Sequence, residues 1–347
     1  MKAAIFKQAG EMVIEELPIP KIQSPDQVLV RVVRSCVCGS DLWWFRDGSK
    51  EPGGTTGHEA IGVVEEVGSE VSRVKAGDFV IVPFPHGCGV CPACKAGFES
   101  SCPHGGYMSA SQAEYLISPQ ADGSLVSVPG NAKDFSDELL ASLLTLSDVM
   151  STGYHAAVSA EVKPGDTAVV MGDGAVGLCG VLSAKLRGAE RIIAMSRYPD
   201  RQAIAKEFGA TDIIEERGDE AVARVMDMTG GYGADAVLEC VGAALSFDTA
   251  MKVGRAGAVV GRVGLPHGVA VDLEGTFYRN IGLRGGPAPV RTYDERPEYN
   301  LLQEVLEGNI NPGLVFTKEY TLDQIQEAYA DMDQRRTVKS LLRVSEV

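Results

Sequence analysis

The sequence predicts a two-domain α/β protein, and three observations lead to this fold class. The chain has 347 residues, a length that corresponds to roughly two domains. Its first 130 residues or so contain short β-rich runs separated by Gly, Pro, Asp or Ser. From about Gly165 onward, apolar runs alternate with helical stretches, which is the pattern of a parallel sheet with right-handed crossovers. We therefore expect a compact, partly open β-barrel joined to a doubly wound, six-stranded parallel sheet.

The elements of the first domain are predicted from runs rich in Val, Ile, Phe and Tyr that turn residues bound on both sides. These predicted strands are residues 28–33, 60–67, 79–83, 115–117 and 125–128. The C-terminal part adds two helices, 299–307 and 323–332, and a strand, 338–344. This tail is too small to form a domain by itself. We expect it to return to the first domain, which then consists of residues 1–150 and 287–347.

The second domain, residues 151–286, is predicted from apolar, strand-like runs that alternate with helical stretches. Its predicted strands are 168–171, 192–195, 212–214, 236–240, 258–263 and 281–283, and its predicted helices are 175–187, 201–208, 220–228 and 246–253.

Composition excludes several classes of partner. The net charge is −15, which disfavours nucleic acid and anionic membrane surfaces. The most apolar region, residues 167–186, is interrupted by Asp173 and three glycines, so no membrane span is expected. Residues 1–7 contain neither a long apolar stretch nor a small-residue cleavage pattern. We therefore predict a cytoplasmic protein with reduced thiols.

Four cysteines form the most specific motif of the chain. Cys88, Cys91 and Cys94 are separated by two residues each, and Cys102 follows after seven more. Thiolates at this spacing can converge on one tetrahedral zinc, and four sulfur ligands leave no position open for chemistry. The alternatives are a disulfide pair or four unrelated thiols. We predict a structural zinc site in a lobe formed by residues 86–104.

A glycine-rich turn predicts a dinucleotide site. Gly172, Gly174 and Gly177 follow an apolar run, and Ala175 and Val176 open the next helical stretch. Between a strand and a helix, this spacing permits a tight turn, close approach of a pyrophosphate and close packing of helix on sheet. The phosphates then face the unpaired N–H groups of the helix.

The end of the second predicted strand bears on the choice of dinucleotide. NAD sites carry a carboxylate there for the ribose hydroxyls, whereas this chain has Ser196 and Arg197, with Arg201 one helical turn further on. A hydroxyl and guanidinium groups suit a 2′-phosphate, so we predict NADP(H) in preference to NAD(H). Alternatively, the arginines are ordinary surface charges and Asp200 restores a preference for NAD.

Three separated residues have the chemistry of a catalytic metal site. Cys38, His58 and Asp148 offer a thiolate, an imidazole and a carboxylate, and three protein ligands leave the fourth position of zinc open. Spacing alone leaves other roles possible, because a single histidine is commonly a core or surface residue and Asp148 precedes a helix that it could cap.

The motifs together resemble one family. Cys38-Gly-Ser40-Asp41, Gly57-His58-Glu59, the four-cysteine lobe and the glycine-rich turn occur in the order typical of zinc-dependent medium-chain alcohol dehydrogenases. The resemblance covers essentially the whole chain. It implies a GroES-like topology for the barrel and a Rossmann fold for the second domain.

The resemblance also implies roles for individual residues near the metal. Cys38, His58 and Asp148 correspond to the ligands of the catalytic zinc, and Glu59 to a glutamate that lies beside it. Asp41 resembles the acid that holds the histidine ligand. Ser40 resembles the hydroxyl that takes the proton of the alcohol.

Further positions resemble parts of the family's cofactor and substrate sites. Val263, Gly264 and Leu265 resemble the segment that meets the nicotinamide, and Lys339 falls where a basic residue often contacts the pyrophosphate. Phe84, Trp43 and Trp44 are candidates for an apolar substrate wall, although aromatic residues at such positions are as often core. Trp43 also replaces the histidine that continues the proton relay in liver-type enzymes.

The expected function is transfer of hydride between an alcohol, or an aldehyde or ketone, and NADP(H), with two zinc ions per chain. One alternative is an NAD-dependent polyol or amino-alcohol dehydrogenase, although polyol members usually carry glutamate in place of Asp148. Another is a catalytically silent relative that binds dinucleotide. The expected partner is a small molecule, and the resemblance favours a homotetramer or homodimer.

Overall fold

The chain forms two compact units, seen in a computed structural model that describes residues 1–346. One unit comprises residues 1–151 and 289–347, and the other comprises residues 152–288. The boundaries that the sequence predicts, after residues 150 and 286, lie within two residues of these. The C-terminal segment belongs to the same unit as the N-terminal part.

The described part of the chain contains the following strands in order: β1 (Lys2–Gln8), β2 (Glu11–Glu16), β3 (Val28–Cys36), β4 (Ala60–Val67), β5 (Phe79–Val82), β6 (Pro85–His86), β7 (Gly106–Tyr107), β8 (Tyr115–Ser118), β9 (Val126–Val128), β10 (Thr167–Met171), β11 (Arg191–Met195), β12 (Asp212–Ile214), β13 (Ala234–Glu239), β14 (Gly254–Arg262), β15 (Gly282–Gly285), β16 (Phe316–Thr321) and β17 (Lys339–Arg343).

The helices in the same residues are α1 (Asp41–Asp47), α2 (Pro92–Lys95), α3 (Ala121–Ser124), α4 (Asp137–Thr145), α5 (Val149–Ser159), α6 (Ala175–Leu186), α7 (Pro199–Glu207), α8 (Asp219–Met228), α9 (Ala244–Val253), α10 (Leu273–Arg279), α11 (Val290–Glu295), α12 (Leu301–Leu306) and α13 (Ile325–Asp333). Short 3₁₀ turns occur at Glu99–Ser101, Ala132–Asp134, Pro312–Val315 and Leu322–Gln324.

The first unit is built around a sheet of seven strands in the order β16-β17-β3-β4-β5-β9, with β8 also paired to β3. Strand β3 pairs antiparallel with β4 on one side and with β17 on the other. Its inward residues Val28, Val30 and Val32 lie in a core of buried aliphatic side chains. The alternation of these valines along the strand places them on one face, which explains the burial. Because β17 joins this sheet, residues from both ends of the sequence meet beside β3.

The second unit contains a six-stranded parallel sheet in the order β12-β11-β10-β13-β14-β15. This is the order of the doubly wound dinucleotide-binding fold. In that fold, successive strands are added first on one side of the first strand and then, from the fourth strand on, on its other side; here the first and fourth strands are β10 and β13. Residues of β10, β11, β13 and β14 form its core together with side chains of α8 and α9. The predicted α/β fold class with a parallel six-stranded sheet is therefore confirmed.

Several elements have no counterpart in the sequence-based assignment. Among them are the hairpin β1–β2 and the helix α4, whose N-cap Ser136 accepts a hydrogen bond from the backbone N–H of Leu139. Within residues 1–346, no helix has both the length and the hydropathy needed to cross a membrane.

Candidate metal centres and dinucleotide site

The cluster in the first unit depends on how β3 and β4 pair. Ser35 of β3 lies opposite Ala60 of β4, so the residues just after β3 and just before β4 are neighbours. Cys38 follows the end of β3, and His58 and Glu59 directly precede β4. The Ser35 hydroxyl donates a hydrogen bond to the carbonyl oxygen of Glu59 at 2.8 Å, which holds these two segments together.

Four side chains converge at this place. Cys38, His58, Glu59 and Asp148 each present one potential ligand atom, and all four atoms lie within 4.8 Å of one another. Asp148 reaches the cluster from the turn that precedes α5. The structure thus brings together the three predicted ligands and Glu59, the glutamate that the resemblance places beside them.

The distances within the cluster suit a single zinc ion. His58 Nε2 lies 3.4 Å from Asp148 Oδ2, and Cys38 Sγ lies 3.8 Å from the same oxygen. Ordinary zinc–ligand bond lengths in a tetrahedron put such N···O and S···O pairs about 3.4 Å and about 3.6 Å apart. The donor set of one sulfur, one nitrogen and carboxylate oxygens also matches the preferences of zinc.

Asp41 orients two of these groups. Its Oδ2 accepts a hydrogen bond from the backbone N–H of Cys38 at 3.1 Å, and its Oδ1 lies 3.6 Å from Nδ1 of His58. Since Nδ1 faces Asp41, Nε2 is the ring nitrogen left to face Cys38, Glu59 and Asp148. This arrangement corresponds to the carboxylate that commonly supports a metal-bound histidine.

The electrostatics of the cluster favour a bound cation. Burial raises the pKa of the Cys38 thiol, an effect that the ammonium of Lys339 partly offsets. Burial alone would lower the pKa of His58, but the charges of Asp41 and Cys38 hold it well above its ordinary value. A divalent cation at the centre would stabilise the thiolate and the neutral imidazole together, because both must lose a proton to act as ligands.

Lys339 lies in a different place from the one that the sequence analysis expected. We expected it to be a cofactor phosphate contact, yet its side chain is fully buried in the first unit and its Nζ donates to Glu59 Oε1 at 2.7 Å. The pairing of β17 with β3 brings Lys339 to this position from far along the chain. Sequence reasoning missed the contact because no local signal links two residues that are 280 positions apart.

Aromatic rings lie beside the metal cluster. Phe84 stands edge-on to His58 at 6.4 Å between centroids, and Tyr107 stacks nearly parallel on Phe84 at 6.0 Å. Trp43 is partly exposed, at 39%. Trp44 lies edge-on to Phe6, with 5.0 Å between ring centroids, and is partly buried against the same core, as a packing residue would be. Tyr107 was not among the predicted wall residues.

Ser40 lies at the N-terminus of α1, two residues after Cys38, and is half-buried. Its hydroxyl makes no capping hydrogen bond with that helix. The predicted relay hydroxyl is therefore close in sequence to the ligand Cys38, and it does not cap the helix.

The four cysteines also converge. Cys91 Sγ lies 3.5 Å from Cys94 Sγ and 3.8 Å from Cys102 Sγ, and Cys102 Sγ lies 3.6 Å from Cys88 Sγ. Disulfide sulfurs are only about 2.05 Å apart, so no disulfide joins them. Four sulfurs around a tetrahedral zinc are about 3.8 Å apart, close to the observed spacing. Burial, with Cys91 next to it, raises the pKa of Cys94 to about 12, which makes ionisation unfavourable without a cation.

In the second unit, the glycine-rich turn joins β10 to α6. Gly172 has φ +103°, a conformation that suits glycine, and a Cβ on Gly177 would meet the carbonyl oxygen of Gly172 at 2.1 Å. A Cβ on Gly174, in contrast, would point into open space. Ala175 and Val176 form the first turn of α6 and expose its N–H groups towards that space. The turn therefore has the shape needed to receive a pyrophosphate.

The residues after β11 surround Asp173. The Ser196 hydroxyl donates to Asp173 Oδ2 at 2.8 Å, and the Arg201 guanidinium donates to Asp173 Oδ1 at 3.2 Å. Arg201 is buried, whereas Arg197 is exposed and its Nε donates to the carbonyl oxygen of Glu215. Of the three residues predicted for the 2′-phosphate, only Arg197 has its charge directed to solvent in this conformation.

Val263, Gly264 and Leu265 follow the end of β14. The N–H groups of Val263 and Gly264 both donate to the carbonyl oxygen of Glu239 at the end of β13. Leu265 is exposed. This segment therefore lies at the carboxyl edge of the parallel sheet, which is where open α/β sheets bind their ligands.

Comparisons with known proteins agree with this geometry. Residues 24–130 match the family model of the alcohol dehydrogenase GroES-like domain, and residues 175–295 match the model of zinc-binding dehydrogenases. Zinc-type alcohol dehydrogenase B of Aspergillus flavus is 32% identical over 100% of this chain and 82% of its own length. Sorbitol dehydrogenase of Bacillus subtilis is 33% identical over 94% of this chain and 92% of its own length.

Solved structures show the same likeness. Alcohol dehydrogenase TADH from Thermus sp. ATN1 superposes with a TM-score of 0.89 at 30% identity, covering 99% of this chain and 100% of that one. The fold and the site define a zinc-type dehydrogenase with a GroES-like domain and a Rossmann domain. The chain belongs to the zinc-dependent medium-chain dehydrogenase family and is an enzyme of the zinc-type alcohol dehydrogenase class.

Proposed function

We propose that this protein transfers hydride between an alcohol, or the corresponding aldehyde or ketone, and NADP(H). The observation that carries this proposal is the convergence of Cys38, His58, Glu59 and Asp148 beside two stacked aromatic rings. We assign Cys38, His58 and Asp148 as the ligands of the catalytic zinc. The four-cysteine lobe holds a second, structural zinc.

The metal and the dinucleotide supply the reactive groups. A zinc ion held by these ligands acts as a Lewis acid towards the oxygen of the substrate. A nicotinamide ring supplies the hydride acceptor or donor. The remaining work belongs to side chains of this protein: Asp41 fixes the ring of His58, and the Ser40 hydroxyl accepts the proton that leaves an alcohol while it releases its own proton to solvent. Phe84, with Tyr107 stacked on it, offers an apolar surface to one side of the substrate.

The preference for NADP(H) is supported by the residues at the end of β11. Ser196 stands where a ribose-binding carboxylate would be needed for NAD, and Arg197 next to it carries an exposed positive charge. Arg217 lies close enough for its pKa to be lowered, first by its own desolvation and then by the charge of Arg197. Two neighbouring guanidinium groups are suited to a dianionic phosphate.

A second candidate is an NAD-dependent polyol dehydrogenase, and two observations favour it. The carboxylate of Asp173 engages both Ser196 and Arg201, which leaves a negative charge close to the adenosine end of the predicted site. The sorbitol dehydrogenase of Bacillus subtilis is also among the similar proteins. A homotetramer or homodimer and a cytoplasmic location stay predictions.

The test is a comparison of kcat/KM for NADPH and NADH on a panel of aldehydes and ketones, together with NADP and NAD on alcohols and sorbitol. Zinc-loaded and chelator-treated protein are measured side by side. We expect a zinc-dependent rate that favours NADPH. Replacing Arg197 by Gln should lower kcat/KM for NADPH by about ten-fold or more and leave NADH nearly unchanged, because a charge-assisted hydrogen bond contributes about 1.5–3 kcal/mol.

The matched control is Arg224→Gln, which removes an exposed arginine from α8 in the same unit. A preference for NADH that Arg197→Gln leaves unchanged would refute the NADP assignment and favour the second candidate. Turnover that does not depend on zinc would refute the metal mechanism itself. Absence of turnover in a chain that retains only one zinc would favour a silent dinucleotide-binding relative.

A further inference from the structure

A buried ion pair stands next to the metal cluster. Lys339 and Glu59 have side-chain exposures of 0% and 1%, and Lys339 Nζ lies 2.7 Å from Glu59 Oε1. The same ammonium donates to the carbonyl oxygen of Val37 at 3.2 Å. Burying two charges is costly, so a pair this deep calls for a reason beyond stability alone.

The strands hold this pair rigidly. Lys339 is the first residue of β17, and Glu59 directly precedes β4. Both strands pair with β3, which lies between them in the sheet. The N–H of Val37 donates to the carbonyl oxygen of Ser340 at 3.0 Å, so the backbone beside Lys339 is tied to the segment that carries Cys38. The ammonium is therefore placed by the sheet itself.

The two oxygens of Glu59 differ in their surroundings. Oε1 binds Lys339 and lies 3.8 Å from Nε2 of His58. Oε2 is buried and has no hydrogen-bond partner among the described residues. A buried carboxylate oxygen without a partner is unfavourable by about 1–3 kcal/mol or more. A cation, or a solvent molecule at the open position of the cluster, would provide the missing partner.

Charge counting gives the pair a role. The thiolate of Cys38 and the carboxylate of Asp148 together neutralise a divalent cation, while His58 contributes no charge as a ligand. The carboxylate of Glu59 adds one further negative charge, and the ammonium of Lys339 cancels it. Lys339 and the metal are thus two cations that would compete for the same carboxylate.

We propose that Lys339 is a positioning residue that holds Glu59 by Oε1 and thereby limits its binding to the catalytic metal, which keeps the fourth metal position open for substrate. This inference rests on the proposed function, since it takes Cys38, His58 and Asp148 as the metal ligands. Without Lys339, the full charge of Glu59 turns to the metal as a fourth protein ligand. The metal is then bound more tightly, and the position needed by the substrate is closed.

The experiment measures metal binding and coordination directly, in the full-length protein with Co²⁺ in place of zinc at the catalytic site. Competition with a chelator gives the affinity, and the visible absorption of Co²⁺ reports its ligands. Imidazole and azide serve as probes of the open position. The variants are Lys339→Met, Glu59→Gln, the double variant and Lys339→Arg. Lys318→Met is the matched control. It removes a lysine of the neighbouring strand β16 that also forms an ion pair, in this case with Asp331.

For Lys339→Met we expect an affinity for Co²⁺ higher by about ten-fold or more, which is about 1.4 kcal/mol, with an altered spectrum and weaker binding of both probes. Glu59→Gln should change the affinity in the opposite direction, since it leaves the ammonium without a counter-charge near the metal. The double variant should return towards wild type, Lys339→Arg should stay close to it, and Lys318→Met should change nothing.

Two results would overturn the proposal. One is a folded Lys339→Met protein whose affinity, spectrum and probe binding equal those of wild type. The other is a loss of affinity in both single variants, which would mark the pair as purely structural. If Lys339→Met does not fold, Glu59→Gln decides alone, and an unchanged affinity there rejects the idea. A wild-type protein that binds metal only at the four cysteines would instead refute the proposed function on which the inference rests.

Discussion

His155 provides a prediction whose magnitude follows from the structure. It lies on α5 and is 5% exposed. Burial, reinforced by the positive charge of Arg284, lowers the pKa of His155 from 6.5 to about 4. Between these two values, the unfolded chain binds a proton that the folded protein does not. The free energy of unfolding therefore falls as the pH drops from about 6.5 towards 4.

The size of this effect follows from the two pKa values. Linkage gives a loss of about 2 kcal/mol at pH 5 relative to pH 8, and about 3 kcal/mol once the pH is below 4. We expect His155→Gln to remove this loss. At pH 8, the substitution changes the free energy of unfolding only through the contacts of His155 that it removes. Moving to pH 5 should then change the difference between variant and wild type by about 2 kcal/mol in favour of the variant.

The assay is urea unfolding at both pH values. Hydrogen exchange in peptides from residues 152–288 serves as the readout of unfolding. This readout is needed because both tryptophans, Trp43 and Trp44, belong to the other unit and do not report on this one. His104→Gln, which changes an exposed histidine, is the control. A difference between His155→Gln and wild type that is the same at pH 5 and pH 8 would refute the reasoning.

Two further predictions concern the metal and dinucleotide sites. Cys38→Ser should abolish turnover, while the protein keeps its fold and about one zinc per chain. Cys91→Ser should lose the zinc of the four-cysteine lobe and unfold at a lower temperature. Zinc analysis, turnover and thermal unfolding check both variants, and full activity of Cys38→Ser would contradict the assignment of Cys38 as a ligand of the catalytic zinc. Gly177→Ala should weaken dinucleotide binding at least ten-fold and destabilise the protein by about 1–3 kcal/mol, because the added methyl group meets the carbonyl oxygen of Gly172. Calorimetric titration measures the binding and urea unfolding measures the stability. An affinity for the dinucleotide equal to that of wild type would contradict this prediction.

The residues that carry chemistry were predictable where their signal is local. The cysteine spacing from Cys88 to Cys102 and the glycine turn from Gly172 to Gly177 each lie in a short segment, and covalent geometry already brings their groups close together. The strands and helices of the second unit were predictable for a similar reason, since their alternation follows from the periodicity of apolar residues. The positions of Cys38, His58 and Asp148 required a resemblance in addition, because nothing local joins them.

Tertiary structure alone decided the contacts between distant segments. The ion pair of Lys339 with Glu59 exists because β17 and β4 flank β3, a pairing that only the folded sheet establishes. In the same way, Asp173 accepts hydrogen bonds from Ser196, which follows β11, and from Arg201 of α7, so these two side chains differ from what we expected of the predicted 2′-phosphate site. Tyr107 stacks on Phe84 only in the folded chain, so no local signal marked it as a candidate for the proposed apolar wall. The sequence by itself determined which groups are present and which are close along the chain. Which of them meet depends on strand order and side-chain packing, and these are properties of the whole fold.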